Sequence, residues 1–417
     1  MSLERAQFRV PDQFCFLELH KYADNSQGIE SYWRIKNNLK ILQICAAYKP
    51  AYIYGGPTMS VSVLSEQLVK AGVAAEVFAT TANGKNELTV IPGQTVNVDS
   101  VTVTYFKRIT KDHSHFSPAL LKRLWKEAPK FELIHIHAWW NLVSVFSCMI
   151  ALMRNVPVLV SARGTLSPYS FYNKNIGPKW IIHHLLGKHL LNRCHFHVTS
   201  KRENEAIIKL IHPKSITILP NFVNLPVKKS LVENGPSPFL RLLFFSRIEE
   251  KKGLDILINA LTTVSVPYYL TVAGDGDKDY ITSLKTIAAN NHVDGRINWI
   301  GFQNDNKFDL LYKHDLFVLP SYDENFGNTV IESLSVGTPV LISEQVGLAD
   351  YVQKNDWGWI CQTNPASVSS AINEIGKNHQ AGLSRIRKNA PGIIYQDFNE
   401  SNLVKKYITL YDQLIKR

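Results

Sequence analysis

Two carboxylates with seven residues between them mark the stretch of this chain whose residue types could do chemistry. Glu324 follows an apolar run that predicts a buried strand, and Glu332 lies well inside a predicted helix. The start of that helix contains Phe326, Gly327, Asn328 and Thr329. Backbone N–H groups at a helix N-terminus form a natural phosphate site. A diphosphate held there, with a hydroxylated group at each end, would use both carboxylates as hydrogen-bond acceptors.

A second pair of charged residues brackets a predicted turn earlier in the same half of the chain. Arg247 and Lys252 follow the apolar strand pattern of residues 241–246 and precede a helical pattern that begins near Asp255. Because guanidinium and ammonium groups bind phosphate oxygens, both side chains could reach a diphosphate on a neighbouring loop. A charged turn alone is equally typical of a solvated surface.

Three features of the N-terminal half lie where strands of a parallel sheet would end. Gly55 and Gly56 follow the first predicted strand, residues 39–45, and would let the backbone approach a ligand closely. His137 lies near the end of the fourth predicted strand, residues 133–138, at the edge where open α/β sheets bind ligands. Arg163 follows the strand of residues 156–161 and could either meet an acidic or phosphorylated ligand or anchor its own loop.

Strand and helix patterns alternate along both halves of the chain, which predicts two α/β domains, each a doubly wound, Rossmann-like sheet. The first predicted domain spans residues 39–224 and the second residues 239–398. The Pro- and Lys-containing residues 225–238 are interpreted as the linker. Residues 399–417 form a last helical pattern, whereas residues 1–38 show no period and receive no role.

The net charge of +11 is distributed unevenly. Residues 1–222 contain 26 Lys and Arg against 14 Asp and Glu, whereas residues 223–417 contain 20 against 21. The basic half favours an anionic partner, such as a phosphorylated substrate or a membrane surface. Residues 173–193, with their Lys, Arg and Trp, could lie on an anionic membrane or pack their apolar stripe on the sheet. No nucleic-acid motif is present, so we expect no nucleic-acid partner.

The five cysteines show no metal-ligand spacing, which is typical of reduced core residues. The first residues lack a signal-peptide pattern, and no apolar run reaches the roughly 18 residues of a membrane span. We therefore expect a cytoplasmic protein, peripheral on the inner membrane face if it binds membranes.

The residues around the carboxylate pair resemble a known family. Glu324, Glu332 and the Ser-Leu-x-x-Gly-x-Pro-Val that follows are similar to the signature of the retaining glycosyltransferases of family 4 (group 1), which have the GT-B fold. The Ile-His-Ile-His strand ending at His137 resembles a strand motif of the same family. Arg163 and Gly164 resemble a variant found in enzymes that assemble O-antigens and exopolysaccharides.

The resemblance implies transfer of a sugar from a UDP- or GDP-sugar to a hydroxyl of a growing, lipid-linked polysaccharide, with retention of configuration. It implies that Glu324 and His137 act in catalysis and that Arg163 lies on the acceptor side. Donor binding would fall to Gly55, Gly56, Arg247, Lys252, Phe326, Gly327, Asn328, Thr329 and Glu332. No metal or other cofactor is implied, because these groups can neutralise a diphosphate. The last helix would cross back to the first domain, and the two domains would close to assemble the site.

Three alternatives remain open at this point. A nucleotide-sugar 2-epimerase shares the fold but should lack the pair of carboxylates. A non-catalytic partner subunit of a glycosyltransferase would lose the charged site residues, which are all present here. A nucleic-acid-binding protein would explain the basic half and would bind in a salt-sensitive manner.

Overall fold

A computed structural model describes residues 39–172, 183–226, 237–303, 306–378 and 380–416. The predictions made for residues 1–38, for the first part of the basic stretch (173–182) and for most of the linker (227–236) lie outside the described residues.

The first half of the chain forms a sheet of eight strands. The strands of this half are β1 (Lys40–Cys45), β2 (Ala74–Thr80), β3 (Ala82–Asn83), β4 (Asn86–Glu87), β5 (Thr95–Val98), β6 (Val101–Phe106), β7 (Leu133–His137), β8 (Val158–Ser161), β9 (His195–Val198) and β10 (Ser215–Ile218). The order in the sheet is β10-β9-β8-β7-β1-β2-β6-β5, parallel except for β5 against β6, and β3 and β4 form a separate ribbon. The Gly- and Asn-containing pattern of residues 82–100 is typical of a loop, but the structure has three short strands there, β3, β4 and β5.

The second half forms a parallel sheet of six strands. These are β11 (Leu240–Phe245), β12 (Tyr268–Ala273), β13 (Ile297–Gly301), β14 (Leu316–Leu319), β15 (Val340–Ser343) and β16 (Gly358–Cys361). Their order is β13-β12-β11-β14-β15-β16. The strands are almost continuously apolar, as parallel strands covered on both faces must be. We call the two sheets with their helices the first and the second lobe.

Helices follow most of these strands. In the first lobe they are α1 (Gly56–Lys70), α2 (Pro118–Glu127), α3 (Leu142–Met153), α4 (Pro168–Tyr172), α5 (Lys188–Leu191) and α6 (Lys201–Leu210). From the second sheet onward they are α7 (Leu254–Ala260), α8 (Lys278–Asn290), α9 (Lys307–Tyr312), α10 (Asn328–Ser335), α11 (Ala349–Asn355), α12 (Pro365–Asn378), α13 (Gln380–Asp397) and α14 (Glu400–Ile415).

Helix starts follow ordinary capping chemistry. The Ser200 hydroxyl accepts from the Glu203 amide at the start of α6, and the Asp277 carboxylate accepts from the Asp279 and Tyr280 amides in the first turn of α8. Helix α13 was not predicted, because Pro391 and two glycines interrupt its pattern. It forms because Leu383, Ile386 and other apolar residues of its inner face pack into the core of the second lobe.

The last helix, α14, packs against the first sheet. Leu403, Tyr407 and Tyr411 of this helix are buried in one apolar cluster with Ile41 of β1 and Leu64 of α1. Burial of such an apolar face is the main stabilising term for a helix. The chain therefore enters the second lobe near residue 240 and returns to the first at its end.

Candidate active site

In each sheet the chain order reverses beside one strand, and the predicted site residues follow those strands. β11 lies between β12 and β14, Lys252 follows β11, and Glu324 follows β14. In the first sheet β1 lies between β2 and β7, Gly55 follows β1, and His137 ends β7. Ligands of open α/β sheets bind outside the carboxyl ends of strands at such reversals. The fold therefore places both halves of the predicted site at binding edges.

Glu324 and Lys252 form an ion pair in the second lobe. The turn that carries Lys252 packs tightly on the end of β14, since a Cβ on Gly253 would lie 2.1 Å from the Pro320 carbonyl oxygen. Burial opposes ionisation of Glu324, but the charge of Lys252, reinforced by those of Lys251 and Arg247, lowers the pKa of its carboxyl. Glu324 is therefore a carboxylate at neutral pH.

Arg247 faces the first lobe across the cleft. A Cβ placed on Gly55 would lie 3.6 Å from Arg247 Nε, and Gly55 has a φ of 64°. The guanidinium is about half exposed and pairs through Nη1 with Glu249, at 2.8 Å. The Arg247 guanidinium thus lies opposite the backbone at Gly55, where no side chain blocks the approach of a ligand. A diphosphate could bind between them.

The N-termini of α1 and α10 also face each other. Gly327 caps α10 with a φ of 93°, and Asn328 Nδ2 donates to Ser60 Oγ of α1 at 3.3 Å. A Cβ on Gly56 would lie 3.7 Å from the same Asn328 amide group. Thr329 follows in the first turn and is half-buried. Two helix N-termini directed at one cleft favour a bound anion.

The remaining predicted donor-binding residues have different surroundings. Phe326 is buried in the core of the second lobe, with its ring against Phe398. Glu332 is nearly buried, and its Oε1 pairs with Lys307 Nζ at 2.7 Å. Lys307 begins α9 and carried no recognisable signal in the sequence.

His137 lies beneath the cleft floor rather than in the open cleft, since it is 2% exposed. Arg163 Nε donates to His137 Nδ1 at 3.2 Å, so Nε2 carries the proton and donates to Gln43 Oε1 at 2.6 Å. Burial, with the charges of neighbouring histidines and of Arg163, holds the pKa of His137 well below its ordinary value. His137 is a neutral side chain that contacts Arg163, and a catalytic role stays a prediction.

Arg163 is held by neutral partners. Its Nη1 donates to Asn221 Oδ1 at 3.0 Å, in addition to the bond from Nε to His137. Arg163 and Gly164 both have positive φ, 51° and 77°, which directs the loop across the cleft. Among the described residues no carboxylate forms an ion pair with Arg163. Its guanidinium charge is therefore available to an anionic group.

Four further residues join the lobes beside Glu324 and were not singled out from the sequence: Arg202, Glu203, Asp323 and Asn325. They line a cavity of about 180 Å³ between the lobes. The pattern Ser200-x-x-Glu203 was visible as a capping box, but it predicts only a helix start.

Within the ranges that the structure describes, no helix is long and apolar enough to cross a membrane. No group of three or more His, Cys, Asp or Glu side chains in the same ranges is placed to hold a metal ion.

The fold and site define a GT-B protein, with two Rossmann-like halves. The UDP- and glucose-bound structure of Anabaena Alr3699/HepE has the same fold, with a TM-score of 0.70 and 20% identity over 90% of this chain and all of that one. The family model described as glycosyl transferases group 1 matches residues 227–392, and that of glycosyltransferase family 4 matches residues 54–226. Together the matches cover most of the chain, which belongs to the group 1 glycosyltransferases.

Curated relatives agree over part of their length. A glycosyltransferase of Methanocaldococcus jannaschii, MJ1607, is 29% identical over 175 residues, 41% of this chain and 44% of that protein. The O-antigen biosynthesis glycosyltransferase WclY of Escherichia coli is 27% identical over 176 residues, 41% of this chain and 46% of that protein. The chain thus spans less than half the length of these relatives.

Proposed function

We propose that the protein transfers a sugar from a nucleotide diphosphate sugar to a hydroxyl of a growing polysaccharide, with retention of configuration. The observation that carries this proposal is the convergence on one cleft of Arg247, Lys252, Glu324 and two helix N-termini. The group 1 family supports a transferase, and the name of the related WclY supports polysaccharide assembly. UDP, bound in the related fold of Alr3699/HepE, is the first donor nucleotide to test.

The reaction breaks the bond between the anomeric carbon and the diphosphate oxygen and forms a bond from the acceptor oxygen to the same carbon. Negative charge grows on the leaving diphosphate in the transition state. Arg247, Lys252 and the amides at the start of α10 would stabilise that charge without a metal ion. The acceptor proton would pass to the departing phosphate oxygen on the face where the acceptor attacks.

Glu324 would accept hydrogen bonds from hydroxyls of the donor sugar, and Glu332 from those of the ribose. Glu324 could instead be the nucleophile of a double displacement, as in retaining glycosidases. The positional role is favoured because Lys252 binds the carboxylate directly, which lowers its nucleophilicity. Trapping a covalent adduct between the sugar and Glu324 would overturn this assignment.

The acceptor is proposed to be a lipid-linked glycan that approaches Arg163 in the first lobe. The resemblance of the Arg163–Gly164 loop to enzymes of O-antigen assembly supports this choice, as does the positive charge of the N-terminal half. An acidic or phosphorylated group of the acceptor would meet the guanidinium, whose hydrogen-bond partners within the described part of the chain, His137 and Asn221, are neutral.

A donor panel tests the proposal. UDP-, GDP- and ADP-sugars are screened for thermal stabilisation of the protein and for slow donor hydrolysis. We expect one nucleotide class to stabilise the protein and to be cleaved, with Glu324→Ala reducing turnover at least a hundredfold and nucleotide affinity less than threefold. The proposal fails if no donor binds or is cleaved, and a 2-epimerase would instead release the epimerised sugar.

A further inference from the structure

The loop that carries Glu324 is held by the first lobe on both sides of that residue. Glu324 forms an isolated parallel bridge with Val346, and the chain bends on either side of it. Glu324 contacts Lys252 of its own lobe, whereas Asp323 and Asn325 both contact the first lobe.

Asp323 receives its side-chain hydrogen bonds from the first lobe. Its carboxylate is 3% exposed and accepts from Ser167 Oγ at 2.9 Å and from Arg202 Nη1 at 3.4 Å. The same guanidinium donates to the Gln345 carbonyl oxygen and, through Nη2, to its side-chain oxygen at 2.5 Å. Separation of the lobes would leave the Asp323 carboxylate without these donors.

Glu203 connects the loop of Arg163 to the loop of Glu324. One carboxylate oxygen accepts from the Gly164 amide at 3.0 Å. The other accepts from the Thr199 amide at 2.8 Å and, across the cleft, from Asn325 Nδ2 at 3.1 Å. A Cβ on Gly164 would lie 2.9 Å from Asn325 Cβ, so the two loops touch directly.

We propose that Arg202, Glu203, Asp323 and Asn325 form an interlobe latch that positions Glu324 for sugar transfer. The latch forms only when the lobes close, and it sets the orientation of Glu324 through its two chain neighbours. Arg202 and Glu203 are positioning residues, because their hydrogen bonds to this loop go to Asp323 and Asn325 and none goes to Glu324 or Lys252. This inference rests on the proposed function, because it assigns Glu324 to the donor sugar.

A latch of this kind separates donor binding from turnover. Breaking the latch leaves intact the groups of the second lobe that would bind the diphosphate, which are Arg247, Lys252 and the amides at the start of α10. Nucleotide binding should therefore survive, while the fraction of molecules with Glu324 correctly placed falls. Removal of either Arg202 or Asp323 should break the contact between the lobes. Removal of the second residue as well should therefore lower kcat little further.

The test is a double-mutant cycle of Arg202→Met and Asp323→Asn. Donor hydrolysis is measured with the nucleotide sugar that the wild-type protein cleaves, and calorimetry measures affinity for the nucleoside diphosphate of that sugar, written here as UDP. We expect each variant to lower kcat at least tenfold with the UDP Kd changed less than twofold, and the double variant to be within threefold of the single variants. Lys201→Ala, exposed on the same turn of α6, should leave both values unchanged.

Outcomes that contradict the latch are distinct from failure of the proposed function. If the wild-type protein cleaves a donor and Arg202→Met keeps full kcat, the latch is wrong and the transferase stands. The latch is also wrong if the double variant loses kcat by the product of the two single losses. Equal losses of UDP affinity and kcat in a variant would contradict it as well. Glu203→Gln, which keeps the shape of the side chain, must lower kcat as well. If the wild-type protein cleaves no donor, the transferase and the latch fall together.

Discussion

Single residues in the cleft are constrained by the atoms that face them, and glycine shows this most clearly. Gly164 has a φ of 77° and abuts Asn325 across the cleft, whereas Gly93 has a φ of 83° with nothing within 4 Å of an added Cβ. Both positions require a left-handed backbone, but only Gly164 requires space against the other lobe. A comparison of Gly164 with Gly93 therefore separates the effect of backbone conformation from the effect of close packing between the lobes.

We predict that Gly164→Ala and Gly93→Ala lose similar stability, about 1 kcal/mol each from the left-handed conformation. Only Gly164→Ala should lower turnover, at least tenfold, because its methyl group pushes the lobes apart at Asn325. Urea unfolding and donor hydrolysis measure the two effects. Equal turnover in the two variants would show that the contact across the cleft has no role.

Glu332 gives a second prediction at this scale. Glu332→Gln should weaken UDP binding about tenfold, since hydrogen bonds to a charged acceptor contribute about 1.5–3 kcal/mol and tenfold corresponds to about 1.4 kcal/mol. Calorimetric titration with UDP measures the change. Asp294→Asn, exposed at the amino end of β13, serves as the control and should bind UDP normally. Unchanged affinity in Glu332→Gln would remove Glu332 from the ribose site.

Periodicity and the family resemblance together were sufficient to place Glu324, Glu332, Arg247 and Lys252 beside or within strand–helix units, where the structure has them, and their roles in the site stay predictions. Neither signal could find Lys307, whose pairing with Glu332 depends on how α9 packs beside α10. Polar residues whose partners lie far along the chain leave no local pattern.

At the scale of elements, α14 is tied to the first sheet by a chain of buried hydrogen bonds as well as by apolar packing. Gln43 Nε2 donates to Tyr411 Oη at 3.3 Å, and Tyr411 Oη contacts His135 Nδ1 at 3.0 Å. His135 Nε2 then contacts Ser161 Oγ, which contacts His197 Nδ1, both at 2.7 Å. The chain crosses β1, β7, β8 and β9 beneath the cleft floor.

Tyr411→Phe should destabilise the protein by about 1–3 kcal/mol, because it leaves His135 Nδ1 buried without a partner. Equilibrium unfolding in urea measures this loss. Tyr269→Phe, at a half-exposed position of β12, is the matched control and should stay within about 0.5 kcal/mol of the wild-type protein. A similar small effect in Tyr411→Phe would mean that apolar packing alone attaches α14.

Most of these strands and helices were predicted from the spacing of their apolar residues, because that spacing depends on which side chains are buried. Helix α13 was not predicted, because Pro391 interrupts its sequence pattern and the helix is stabilised by tertiary packing instead. The chain of buried hydrogen bonds could not be predicted for another reason. His135 and Tyr411 are 276 residues apart and meet only because α14 returns to the first lobe.

At the scale of the whole molecule, two similar sheets face each other, and their functional contacts are long-range. Arg202 and Asp323 are 121 residues apart, and Asn328 and Ser60 are 268 apart. Alternating patterns predicted two Rossmann-like halves because that architecture follows from local periodicity. The pairing across the cleft depends on the relative orientation of the lobes, which no local pattern encodes.

The buried histidines make the stability of the whole first lobe depend on pH. Burial, with neighbouring charges, holds the pKa of His135 and His137 well below the ordinary 6.5 and lowers that of His197 to about 3. Between these values and 6.5 the unfolded chain binds protons that the folded protein excludes. Stability therefore falls as the pH drops below 6.5, by about 1.4 kcal/mol per pH unit for each histidine.

Urea unfolding between pH 7.5 and 5 tests this whole-molecule effect. The three histidines together should remove about 4 kcal/mol per pH unit below 6.5. Glu324 does not contribute in this window, because its lowered pKa places its loss of stability below the ordinary 4.5. His197→Gln should reduce the slope by about 1.4 kcal/mol per pH unit, whereas His212→Gln, at an exposed position, should leave the buried-histidine slope in place. Stability that stays constant down to pH 5 would mean that these imidazoles are charged in the folded protein, and the neutral hydrogen-bond chain beneath the cleft would then be wrong.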